Sequence, residues 1–125
     1  MAVTVQVTFD AHDPTRLGEF WAFALGYEMD APPPGFDTWD AALDHFGVPA
    51  DERNNAYAVH DPEGTGPRLF FQRVPEPKVA KNRVHLDLRT ATELSGADRM
   101  HALELRAGEL VAGDPQVVDP GQHLV

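Results

Sequence analysis

The sequence predicts an α+β fold laid out on a repeated plan. Residues 3–9 and 83–89 each alternate apolar and polar side chains with a period of two, the pattern of a strand with one face in a core. Each is followed by a stretch of helical apolar spacing, which points to a duplicated unit. Between them, two more alternating runs flank Asp61-Pro62-Glu63-Gly64, which is hairpin turn chemistry.

In the first strand Val3, Val5, Val7 and Phe9 share one face, and Thr4, Gln6, Thr8 and Asp10 share the other. Asp13-Pro14 then starts a helix: Asp13 caps free amides, and Pro14 suits the first helical position, where a missing N–H costs nothing. Leu17, Phe20, Trp21, Ala24 and Leu25 form its apolar stripe, and Gly26 suits a left-handed residue past its end. Phe20 and Trp21 therefore read as core, and His12 as a loop residue. Residues 27–30 form a short strand. Ala31-Pro32-Pro33-Pro34-Gly35 is an ordered loop, because consecutive prolines exclude a helix or a central strand. A second helix starts at Thr38, with Trp39, Ala42, Leu43 and Phe46 on one face and Gly47 as its stop. So long a connection either covers a site or plugs a sheet end.

Residues 55–60 and 68–74 form the hairpin. In its second strand Leu69, Phe71 and Arg73 alternate with Phe70, Gln72 and Val74. Both rows contain an aromatic residue, so alternation leaves open which one faces a core. Pro75-Glu76-Pro77-Lys78 is an extended break, placing one module at about 1–76 and the next at about 77–125 of a single domain. In residues 83–89, Val84, Leu86 and Leu88 point one way, and Arg83, His85, Asp87 and Arg89 the other. That polar face either lines a cavity, with His85 as ligand or proton carrier, or is simply solvated. Thr90-Ala91-Thr92-Glu93 has capping-box spacing, and Leu94, Ala97, Met100 and Leu103 continue at helical spacing past a weakening Gly96. Residues 110–112 suggest a short strand, and Asp114-Pro115 and Asp119-Pro120-Gly121 suggest turns.

Composition narrows the function. Ten Lys and Arg against twenty Asp and Glu give a net charge of −10, which repels phosphate backbones and anionic lipid; nucleic-acid and membrane-surface roles are not expected. There is no cysteine, so disulfides, thiolate catalysis and zinc–thiolate sites are excluded. No apolar run approaches the length of a membrane span, and the start lacks a basic region followed by an apolar stretch, so a cytoplasmic location is the default expectation.

The order strand, helix, short strand, hairpin, strand, helix resembles the vicinal oxygen chelate superfamily, and in particular its small bacterial glyoxalase-like domains. The resemblance covers almost the whole chain. It rests on Val7-Thr8-Phe9-Asp10 leading into Asp13-Pro14 and Phe20-Trp21, the Pro-rich loop before Gly35-Phe36, Asp61-Pro62-Glu63-Gly64, residues 68–75, and residues 82–88. It implies two βαβββ modules whose sheet curls open around a pocket, often completed by a homodimer. In metal-dependent members of the superfamily the ligands come from the first and last strands of each module. By that correspondence Gln6 and His85 occupy ligand positions, and Gln72 and Phe70 lie where a carboxylate ligand is usual. Zn, Ni, Fe or Mn are the divalent ions such donors would suit. The carboxylate itself is missing, and the chain ends before the segment expected to bring a further glutamate. The second module thus reads as incomplete at its C-terminus, its open edge to be covered by a partner chain or by residues beyond this numbering.

Three functions follow as expectations. The first is small-molecule binding without a complete catalytic metal site, through His85, Gln6, Gln72 and Phe70. The alternative is a metal-dependent lyase, isomerase or dioxygenase of the glyoxalase type with His85 and Gln6 as ligands. The third is a non-enzymatic domain whose dimer interface is its purpose.

Overall fold

In the computed structural model, which describes residues 1–113, the chain divides into two units, residues 1–77 and 78–125. The first unit runs β1 (Gln6–Ala11), α1 (Pro14–Leu25), β2 (Glu28–Met29), α2 (Trp39–His45), a 3₁₀ turn (Ala50–Glu52), β3 (Ala56–His60) and β4 (Arg68–Arg73). The described part of the second contains α3 (Gly96–Gly113). The α+β class holds. The strands form an open mixed sheet in the order β1-β4-β3-β2, with β1 parallel to β4 and the other neighbours antiparallel.

One face of this sheet is the core. Val59, Leu69 and Phe71 are fully buried there, packed by Leu17, Trp21, Ala22 and Leu25 of α1 and by Val7, Phe9, Tyr27 and Tyr57. Phe9 stacks on Phe71 and on Trp21, with ring centroids 5.1 and 5.8 Å apart. The alternation left open in β4 is thereby decided: Leu69 and Phe71 face inward. Gly18 sits mid-helix because α1 approaches the sheet closely there. A Cβ at that position would overlap the Tyr57 ring and lie 3.2 Å from the Phe71 ring.

The start of α1 is pinned from a distance. Asp13 Oδ1 accepts the Arg16 amide at 3.2 Å and the Asn54 Nδ2 amide at 2.8 Å, while Asn54 Oδ1 accepts the Thr15 amide at 2.9 Å. The Asn54 hydrogen bond, foremost, holds the Asp13 carboxyl below its ordinary value. Gly26 ends the helix in the left-handed region, φ 71°. Thr38 caps α2 by accepting the Ala41 amide at 3.1 Å, and Ala42 is its fully buried residue. Arg53 braces α2 by ion pairs to Asp40 and Asp44 and by donating to the Val48 carbonyl.

Several expectations need correction. β1 begins at Gln6, not at residue 3, and Val3 and Val5 are exposed. Its ladder partner β4 starts at Arg68, opposite Gln6, so earlier residues have nothing to pair with. Phe46 lies outside the buried face of α2; it is the capping residue and meets the Phe36 ring at the surface. Residues 83–89 form no strand, since no strand among the described residues pairs with them, and a second βαβββ module is not seen there. The Thr90–Glu93 spacing caps no helix. α3 opens at Gly96 (φ 58°), so this glycine begins the helix and does not weaken its interior. Residues 110–112 belong to α3, because Leu103 and Leu110 keep its less exposed side in helical register. The turns expected at 114–115 and 119–121 lie outside the described residues. Among the described residues no helix is long and apolar enough to cross a membrane.

Candidate functional site

Every strand of the sheet has a second face, turned away from α1. Alternation and register place Gln6, Thr8 and Asp10 of β1 beside Arg68, Phe70 and Gln72 of β4, with Ala58 opposite Phe70 and Ala56 opposite Gln72 on β3. His60 follows two residues beyond Ala58, opposite Glu28 of β2. The two alanines leave the middle of this face low, and longer polar side chains stand around them.

Arg68 is the centre of the polar group. Its Nε donates to Asp30 Oδ2 at 2.8 Å and its Nη1 donates to Gln6 Oε1 at 2.7 Å. Its Cζ lies 5.6 Å from the Phe70 ring centroid, within cation–π range. Asp30 in turn holds His60, with Oδ1 2.7 Å from Nδ1, and Glu28 Oε1 lies 3.1 Å from His60 Nε2. Flanked by two carboxylates, the Asp30 hydrogen bond foremost, the imidazole has its pKa raised above 6.5. Asp30 is anchored from its backbone side as well: its amide donates to the Ala58 carbonyl at 3.0 Å, and its carbonyl accepts Trp39 Nε1 at 2.8 Å. The loop leading to α2 is thus tied to the edge of the face.

The hairpin end is held by Asp61. Its carboxylate accepts the amides of Glu63, Thr65 and Gly66 and the Thr65 hydroxyl, which draws its pKa down to about 2. These bonds occupy the carboxylate within its own turn, so its role is to shape the β3–β4 connection.

Three of the four residues singled out from the sequence share this face. Gln6 is bonded to Arg68. Gln72 donates through Nε2 to Asp10 Oδ1 at 2.7 Å, and Phe70 lies between them. His85 belongs to the second unit, is exposed, and has its Nε2 3.1 Å from the Asn82 carbonyl oxygen. Sequence reasoning missed Asp30, His60, Glu28 and Arg68. Alternation does put Arg68 in one row with Phe70 and Gln72, but only the register between β2, β3 and β4 brings the other three to it.

Donor chemistry decides whether this face fits a divalent ion. Guanidinium groups only donate, so Arg68 fixes the Gln6 amide with its oxygen inward and Nε2 as the free end. A cation bound at Oε1 would sit beside the Arg68 charge, and both Asp30 oxygens already serve cationic or donor groups. Gln6 and its neighbours in this arrangement do not fit a divalent metal. Among the described residues no group of three or more His, Cys, Asp or Glu is arranged to hold one.

The sequence model of a family described as glyoxalase-like domain matches residues 6–124. No curated protein and no solved structure matches the chain.

Proposed function

The chain belongs to the glyoxalase-like domain family of the vicinal oxygen chelate superfamily, and from that premise we propose that it binds a small organic molecule on the polar sheet face of its first unit. The observation that carries this reading is Arg68, fixed between Asp30 and Gln6 beside the Phe70 ring and the low Ala56–Ala58 floor. Buried scaffolding stands behind the face, and polar groups converge on it, which is how binding sites obtain orientation and selectivity. Gln6, Phe70 and Gln72 supply contacts on this reading, and His85 remains a separate candidate ligand-binding residue within the second unit. A homodimer would add surface from a second copy, and a cytoplasmic location suits a binder of soluble metabolites.

Metal-dependent lyase or dioxygenase chemistry is the alternative, with His85 as metal ligand. Amide chemical shifts of the full chain, recorded with a panel of small aromatic and apolar compounds, separate the two when paired with elemental analysis. Ligand-induced shifts on β1 and β4 without metal are the expected result. About one Zn, Ni, Fe or Mn per chain, lost in His85→Ala, would overturn this reading and favour the alternative.

A further inference from the structure

We propose that the Gln6–Arg68 pair is a carboxylate subsite, and that the ligand of this face is an organic acid whose planar apolar body lies over Ala58 and Phe70. The inference rests on the reading of the face as a small-molecule site and deepens it.

Arg68 Nε and Nη1 have partners in Asp30 and Gln6, while Nη2 has none among the described residues. The Nη1–Nη2 edge of the guanidinium, with its parallel N–H groups, has the geometry that grips a carboxylate with two hydrogen bonds. Gln6, oriented by that same guanidinium, contributes Nε2 as a third donor, and the Thr8 hydroxyl lies two residues along on the same face. The acceptors beside Arg68 are already occupied: Gln6 Oε1 and Asp30 Oδ2 by Arg68 itself, and Asp30 Oδ1 by His60. The group that completes the site must therefore be an acceptor, and beside a guanidinium it is best an anion.

The apolar half of the ligand follows from the next row. Phe70 is half-buried and Ala58 lies directly opposite it in the register, so a flat body meets a ring edge and a methyl floor with no long side chain between them.

Charge around the subsite makes binding depend on pH. The groups facing His60 are Glu28 from β2, Asp30 just past its end, and Arg68 from β4; the adjacent Asp61 is turned into its own turn. With His60 protonated, Arg68 and His60 together balance Asp30 and Glu28. Once His60 loses its proton, one negative charge is left over and Asp30 draws harder on Arg68. Carboxylate affinity is therefore greatest below the raised His60 pKa and falls as pH rises through it.

The test uses the full chain, isotope-labelled, titrated with benzoate and with its neutral analogue benzyl alcohol at two pH values, one below and one above the His60 transition as located by that imidazole's own NMR titration. Benzoate is expected to move the amides of Gln6, Thr8 and Phe70 and to bind about tenfold tighter than benzyl alcohol at the lower pH. That preference shrinks at the higher pH, His60→Gln removes its pH dependence, and Arg68→Gln abolishes it. Should Arg68→Gln lose the dispersed amide spectrum of the folded chain, the exposed Gln6→Ala is read instead, with a several-fold loss of benzoate affinity expected. Equal binding of the two compounds on this face would overturn the carboxylate subsite and leave the small-molecule reading standing. No response on this face to either compound would overturn both.

Discussion

Leu69 and Phe71 of β4 are fully buried, whereas Val84, in a segment that alternates just as regularly, is 80% exposed. The contrast between β4 and residues 83–89 shows what alternation does and does not supply. Each segment offers an apolar row and a polar row. β4 also has β1 on one side, β3 on the other, and α1 across its apolar row. Its backbone groups are satisfied by neighbours and its side chains by a helix. Residues 83–89 have no paired strand among the described residues, so the same pattern stays unbuilt there.

The sharpest way to break this comparison is by truncation. Phe71→Ala removes a fully buried ring that stacks on Phe9, and is expected to lower unfolding stability by about 3–5 kcal/mol in denaturant titration. Val84→Ala is expected to change it by less than about 0.5 kcal/mol. A cost for Val84 near that for Phe71 would mean that residues 83–89 are packed after all.

Gly18→Ala comes next. Its new methyl meets the Tyr57 ring and then Phe71, neither free to withdraw from the core, so a loss of about 1–3 kcal/mol is expected despite the better helix propensity of alanine. A stabilised variant would show that α1 rides higher on the sheet than the close approach of Gly18 to Tyr57 requires.

Asn54→Ala is expected to cost about 1–2 kcal/mol, because it strips the Thr15 amide and the Asp13 carboxylate of a partner at the helix start. Its second readout is the Asp13 carboxyl, which should titrate closer to its ordinary value of 3.8 in the variant.

The smallest effect is one of pH. The folded pKa of Asp61, about 2, lies below the ordinary 3.8 that the unfolded chain shows, so the folded chain binds fewer protons in that interval. The stability contributed by its turn is thus fully present above about pH 4 and lost as pH falls toward about 2. In Asp61→Asn the acid limb of the stability profile should be flatter across that window; an unchanged limb would mean the turn is held by something other than the carboxylate.

Much of the first unit was legible in the residues themselves. Asp13-Pro14 with Gly26, Thr38 with Gly47, and Asp61-Pro62 with Gly64 are local signals, and local hydrogen bonds decide them. The strand edges were less legible, as Val3 and Val5 show, because a strand ends where its partner ends. The site was half legible for the same reason. Gln6, Phe70 and Gln72 lie on rows that alternation defines, but Asp30 and His60 join Arg68 only through the pairing of three strands. Alternation and then resemblance drew attention to His85, whereas the charged network formed around Arg68, where no motif marks it.

Amide hydrogen exchange on the full chain tests the central contrast most directly. The amides of Val59, Leu69 and Phe71 are predicted to exchange only on global unfolding, and those of residues 84–88 to exchange with little protection. Protection of residues 84–88 equal to that of β4 would contradict the account, since it would require a paired strand there and return His85 to the polar face of a second sheet.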